Sequence, residues 1–225
     1  MVPPPFERAV SYGIYDGRLR EAIHALKYAR IYPIARGLGR RLAEALAGVA
    51  DGAPKEMLVV PVPLHRSKYR QRGFNQARAL AAASLHSLSK SNPEWKLTLA
   101  PDTLMRLRAT ESQAGLTSRQ RRDNVRGAFS VSNPAAVAGR HVLLIDDIMT
   151  TGATARAAAQ ALRKAGAETV WVETLARAQR VHAGTGSSAW LGETQDPECR
   201  ADGPATQRQG ASLVSLDLSV GQSSF

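Results

Sequence analysis

The segment Val142-Leu143-Leu144-Ile145-Asp146-Asp147-Ile148-Met149-Thr150-Thr151-Gly152-Ala153-Thr154 decides how this 225-residue chain is read. Four consecutive apolar residues read as a buried strand, covered on both faces. The strand ends on two carboxylates, and open α/β sheets bind ligands at the carboxyl ends of their strands. Small hydroxyl residues and a glycine then turn the chain into a helix, predicted over 153–165 and ending at Gly166. N–H groups and hydroxyls at a helix start suit a phosphate. Gly152 lets the backbone approach it with no Cβ in the way. Asp146 and Asp147 are acceptors for neighbouring hydroxyls, as on a ribose ring. With Thr150, Thr151, Gly152, Ala153 and Thr154 they describe a pocket for a ribose 5-phosphate. A capped helix after a solvated acidic turn would explain Thr150 or Thr151. It would not explain the apolar run before two adjacent carboxylates. The chain has neither a GxxxxGK[ST] loop nor a GxGxxG turn after a strand.

Working outward, Asp16 caps a helix predicted near 17–29, with Leu19, Ile23 and Leu26 on one face. Ile34, Leu38, Leu42 and Leu46 mark a second helix ending near Gly48. Met57 to Val62 reads as a buried strand leading into a loop, and Phe74 to Leu88 as an Ala-rich helix. Leu97 to Leu107 alternates loosely as a strand, 108–126 reads as a mobile loop with a helical part, and Thr169 to Leu175 is a β-branched strand. Strands alternating with helices imply right-handed crossovers and a mostly parallel sheet. The expected organisation is an N-terminal helical or hood segment over 1–56, a core over 57–180 and a disordered tail over 181–225. In that tail Gly, Ser and Gln supply 17 of 45 residues, and only Leu213 to Val220 alternates like a strand.

The chain carries 30 Lys+Arg against 19 Asp+Glu, a formal charge of +11. The excess is confined to the first 180 residues, because the remainder holds two arginines and five acids. It clusters at Arg66, Lys68, Arg70, Arg72 and Arg78, then at Arg106, Arg108, Arg119, Arg121, Arg122 and Arg126. Such clusters attract polyanions, nucleic acid or a phosphorylated small ligand; a solvated face enriched in arginine (24 Arg against 6 Lys) gives the same pattern. The single cysteine, Cys199, excludes a disulfide framework and a cysteine zinc site. With no apolar run of membrane-spanning length, the chain is expected to be soluble and cytoplasmic. The five histidines show no metal-ligand spacing. Tyr12, Tyr15 and Tyr28, at helix-like spacing, read either as a hood over a ring or as packing residues.

LLIDDIMTTGAT resembles the phosphoribosyl-pyrophosphate (PRPP) signature of the type I phosphoribosyltransferases. PVPL at 61–64, RGFNQA at 72–77, TESQAGL at 110–116, RRDNVRGAF at 121–129 and the stretch from Tyr15 to Tyr28 resemble the ComF branch of that superfamily. The likeness covers roughly residues 6–178 and implies a type I phosphoribosyltransferase-like fold: a twisted, mostly parallel sheet flanked by helices, with a mobile flap. It implies that Asp146 and Asp147, as the catalytic acidic pair, contact the ribose hydroxyls. Thr150, Thr151, Gly152, Ala153 and Thr154 wrap the 5-phosphate. Pro63, Leu64, His65, Arg66, Lys68 and Arg72 hold the pyrophosphate. Arg106, Arg108, Thr110, Gln113, Arg122 and Asn124 belong to the flap. Magnesium would arrive carried with PRPP, without a dedicated protein site. In purine-salvage members an Asp stands where this chain has Thr150, which disfavours a purine handled by that mechanism. ComF relatives usually carry a four-cysteine zinc module, which this chain is expected to lack. The implied function is phosphoribosyl transfer from PRPP to an unidentified acceptor. The alternative is a non-catalytic module in DNA uptake that binds single-stranded DNA or the uptake helicase. A homo-oligomer is a further expectation, and a membrane partner is not expected.

Overall fold

The computed structural model describes residues 3–28, 32–109, 117–178 and 214–217. Its elements in chain order are β1 (Arg8–Ile14), α1 (Gly17–Tyr28), α2 (Tyr32–Ala47), β2 (Glu56–Pro61), α3 (Arg66–Arg72), α4 (Gln76–Ser91), β3 (Lys96–Leu99), β4 (Leu104–Arg106), α5 (Ser118–Val125), β5 (Phe129–Val131), β6 (His141–Met149), α6 (Ala153–Lys164), β7 (Thr169–Arg177) and β8 (Val214–Asp217). The main sheet has the order β3-β2-β6-β7-β1-β8. β3, β2, β6, β7 and β1 are mutually parallel, and β8 closes the β1 edge antiparallel. The mostly parallel sheet flanked by helices is the architecture expected from the alternating pattern.

Period-two alternation splits the buried strands between two cores. Val142 and Leu144 of β6 join Val60, Leu104, Phe129 and the Ala158/Leu162 stripe of α6 on one face. Leu143 and Ile145 join Ile23 and Leu26 of α1, Leu42 of α2 and Leu80 of α4 on the other. On that second face α2 and α4 touch closely: a Cβ on Gly39 would overlap Ala83. The small β4–β5 hairpin, with Arg106 opposite Phe129, covers the first face.

Three expectations need correction. The N-terminal segment, expected to be helical, opens with β1, which sits inside the main sheet beside β7. Its backbone pairing and the burial of Ala9, Val10 and Ser11 override the weak strand character of RAVSYGI. Leu97 to Leu107 is not one strand; Ala100 to Thr103 turn the chain out of the main sheet and into the hairpin. Residues 66–72, expected as loop, form α3, started by the His65 side chain accepting from Ser67 N–H and stopped by Gly73 at φ +80°. Of the expected tail, Val214–Asp217 pairs with β1 and the rest lies outside the described residues. Among the described residues no helix is long and apolar enough to cross a membrane.

Candidate functional site

β6 carries the acidic pair to the carboxyl end of the sheet. Alternation sends the two side chains to opposite faces. Asp147 follows Leu143 and Ile145 toward α1, where Lys27 Nζ lies 3.1 Å from its Oδ2. Both side chains are largely covered, at 18% and 14% exposure. Burial alone would lower the Lys27 pKa, but the charge and hydrogen bond of Asp147 outweigh it and raise it above the ordinary lysine value. Asp146 follows Val142 and Leu144 toward the β4–β5 hairpin. Its Oδ1 accepts from the N–H of Asp147 at 2.9 Å. Burial and the neighbouring Asp147 charge push its carboxyl up to about 7, against the opposing pull of that N–H, Lys27 and Arg106. Arg106 feels the mirror image: burial lowers its pKa and Asp146 raises it, with burial winning. The guanidinium lies 5.4 Å from the ring centre of Phe129.

The turn after β6 is built as the sequence implied. Gly152 caps α6 in the left-handed region at φ +73°, where a Cβ is disfavoured. Thr151 Oγ1 accepts from Ala153 N–H at 3.3 Å, and Arg156 N–H bonds back to Gly152 O at 2.9 Å. Thr150, Thr151 and Thr154 are half-buried, and Ala153 is buried. The loop after β2 lies beside this turn because Val62 N–H donates to Ile145 O at 2.8 Å. Asn75 Nδ2 holds Val62 O from the start of α4 at 3.0 Å. Pro63 and Leu64 are therefore placed next to the acidic strand end. His65 Nδ1 is engaged by Ser67, whose Oγ stands 2.8 Å away. Arg66 is exposed and Lys68 half-buried on α3. Arg72 Nη1 donates to Gln76 Oε1 at 3.1 Å, and its guanidinium covers the ring of Tyr28 at 5.5 Å.

The flap residues divide. Arg106 stands against Asp146, whereas Arg108 donates to Arg126 O across the base of the flap. Asn124 is half-buried on α5, which a Thr117/Gln120 capping box begins. Arg122 belongs to α5, though its side chain is outside what is described; Thr110 and Gln113 lie outside the described residues. Arg78 leaves the first basic cluster to lie 4.0 Å from Asp102. The three tyrosines do not form one hood: Tyr12 sits on β1 under Arg41, Tyr15 is half-buried against the α1 core, and Tyr28 is 56% exposed. Lys27 is the site residue that the sequence reading did not single out. The available signal was a lysine in the last turn of an amphipathic helix, one residue past the buried Leu26.

As for a cation, the acidic pair offers hard oxygen donors. Among the described residues no three His, Cys, Asp or Glu converge. Two carboxylate side chains at the end of β6 are donors that would suit a magnesium ion.

Residues 97–186 match the phosphoribosyl transferase domain family. The chain is 37% identical over 177 residues to the DNA utilization protein YhgH of Salmonella typhi, covering 78% of this chain and 74% of that one. It is 32% identical over 181 residues to competence protein F of Haemophilus influenzae, covering 78% and 75%. Among solved structures, the glutamine PRPP amidotransferase of B. subtilis complexed with ADP and GMP aligns at a TM-score of 0.38 and 21% identity, over 62% of this chain and 25% of that one.

Proposed function

This chain belongs to the ComF family within the type I phosphoribosyltransferase superfamily, and from that membership we propose that it is a cytoplasmic enzyme transferring a phosphoribosyl group from magnesium-PRPP to an acceptor. The single observation that carries the reading is the acidic end of β6, with Asp146 and Asp147 one turn before the Gly152 start of α6. Asp146 and Asp147 would hold the ribose hydroxyls. The turn from Thr150 to Thr154 would bind the 5-phosphate at the positive end of a twelve-residue helix. Pro63, Leu64, His65, Arg66 and Lys68 would bind the pyrophosphate.

The chemistry asks for no nucleophilic side chain. The C1–O bond breaks through an oxocarbenium-like state, so the protein contributes position and electrostatics. Basic residues of the β2–α3 region would stabilise the charge on the leaving pyrophosphate. Arg106, already facing Asp146, would be the hinge-side residue of a flap that keeps water out. Magnesium, when bound, would neutralise phosphate charge, with Asp146 and Asp147 as the carboxylates that face it. The test is pyrophosphate release from magnesium-PRPP in the presence of a panel of nitrogen acceptors. Release that disappears in Asp146→Asn and Asp147→Asn supports the enzyme. No release with any acceptor, and no PRPP binding, ends this reading.

The second reading, a nucleic-acid module in DNA uptake, is favoured by the names of the relatives and by one surface. α3 presents Arg66 and Arg70 beside Tyr69, which is 52% exposed. Basic residues interleaved with an exposed ring suit single-stranded DNA. Binding whose affinity falls steeply with salt, and less steeply after Arg66→Gln/Arg70→Gln, supports it. Binding that ignores salt counts against it.

A further inference from the structure

The last turn of α1 brings His24, Lys27 and Tyr28 to one helix face, at spacings of three and four. Lys27 fixes where that face lies, because its Nζ stands 3.1 Å from Asp147. The face therefore adjoins the carboxylates proposed to hold the ribose, on the side of the sheet away from Arg106. Tyr28 keeps 56% of its surface exposed. The His24 ring packs against it with centroids 4.5 Å apart, and the Arg72 guanidinium lies 5.5 Å from its centre. Arg72 and Lys27 are close enough to repel each other electrostatically. The carboxylate at this place, Asp147, is already matched by Lys27. The next acid back along α1, Glu21, lies seven residues before Tyr28, about 10 Å along the helix axis.

The patch thus combines rings with surplus positive charge at the edge of the ribose site. A neutral base would use the rings and leave the Arg72 charge unmatched. A phosphate would use that charge and leave the rings bare. We propose that the phosphoribosyl acceptor is a planar aromatic carboxylate, its ring against Tyr28 and its carboxylate facing Arg72. This gives Arg72 to the acceptor rather than to the pyrophosphate, and it rests on the PRPP reading above. For a pyridine carboxylate the step balances simply. The ring nitrogen lone pair forms the bond to C1 as the C1–O bond breaks, and that electron pair leaves with pyrophosphate. No proton changes hands.

The test uses the full chain with magnesium-PRPP, titrated calorimetrically with pyridine-3-carboxylate, pyridine-2,3-dicarboxylate, pyridine-3-carboxamide and adenine, with pyrophosphate release followed in parallel. The carboxylates are expected to bind at least about tenfold more tightly than the amide or adenine and to release pyrophosphate. Tyr28→Leu and Arg72→Gln should each weaken carboxylate binding about tenfold, and Tyr28→Phe should retain it. The exposure of Tyr28 keeps its substitutions from threatening the fold. If PRPP binds but the amide or adenine binds as well as the carboxylates, or no carboxylate binds, the acceptor inference falls while the PRPP reading stands. If PRPP itself does not bind, both fall.

Discussion

Asp146 and Asp147 are neighbours on one strand, yet they meet opposite faces of the sheet and opposite electrostatic fates. Asp147 is an anchored anion, held at 3.1 Å by Lys27 from α1. Among the described residues Asp146 has no ion pair as close as that. It takes a backbone N–H from Asp147 and faces Arg106, and burial lifts its carboxyl to about 7. Two carboxylates side by side resist joint ionisation, and the fold resolves the conflict by giving the close cation to only one. One acid is therefore built into the structure, and the other is left poised for whatever arrives at the strand end.

The largest effect expected from this contrast is on stability. Asp147→Ala strands the covered Lys27 ammonium and should lower the unfolding free energy by about 3 kcal/mol in denaturant titrations. Asp146→Ala should cost less than about 1 kcal/mol, because burial already disfavours its charge. Equal losses would mean that the two acids share one environment.

Glu173 sharpens the comparison as a third carboxyl. It sits on β7 opposite Ile145 and Val10, fully buried, with neither oxygen hydrogen-bonded among the described residues. Burial raises its pKa well above the ordinary glutamate value. Glu173→Met should therefore stabilise the protein by about 1–2 kcal/mol, the reverse of Asp147→Ala. A destabilised Glu173→Met protein would show that the carboxyl has a partner in solution.

The contrast also carries a pH dependence. Asp146 binds its proton more tightly in the folded chain, near 7, than unfolded, near the ordinary 3.8. The folded state thus holds a proton between those values that the unfolded state has lost. Its contribution to stability is complete below pH ~4 and declines as pH rises to about 7, then stays level. By linkage, each unit of that difference is worth about 1.4 kcal/mol. Stability of the wild type minus that of Asp146→Asn, measured from pH 4 to 8, should fall through that window, with Glu173 present in both. A difference that rises with pH would reverse the assignment.

Much of this site was readable from residue order. Four apolar residues before two acids, and Thr-Thr-Gly after them, require a strand, a turn and a helix start in continuous sequence, so local chemistry was enough. The partners of those acids were not readable in the same way. Lys27 reaches Asp147 from 120 positions away because α1 packs on the Leu143/Ile145 face, and Arg106 reaches Asp146 because a hairpin covers the opposite face. Both depend on tertiary packing that no local pattern encodes. β1 was missed for a related reason: RAVSYGI has little strand character and is held by its neighbour β7. α3 was missed because its helix rests on a histidine cap and a glycine stop rather than on an apolar stripe.

The most direct test of the central claim is a calorimetric titration of PRPP into the purified protein, with and without magnesium, repeated on Asp146→Asn. Saturable binding that magnesium strengthens, and that Asp146→Asn weakens at least about tenfold, is the predicted result. Absence of binding by the wild type, or binding that the substitution leaves untouched, would contradict the assignment of the β6 strand end as the PRPP site.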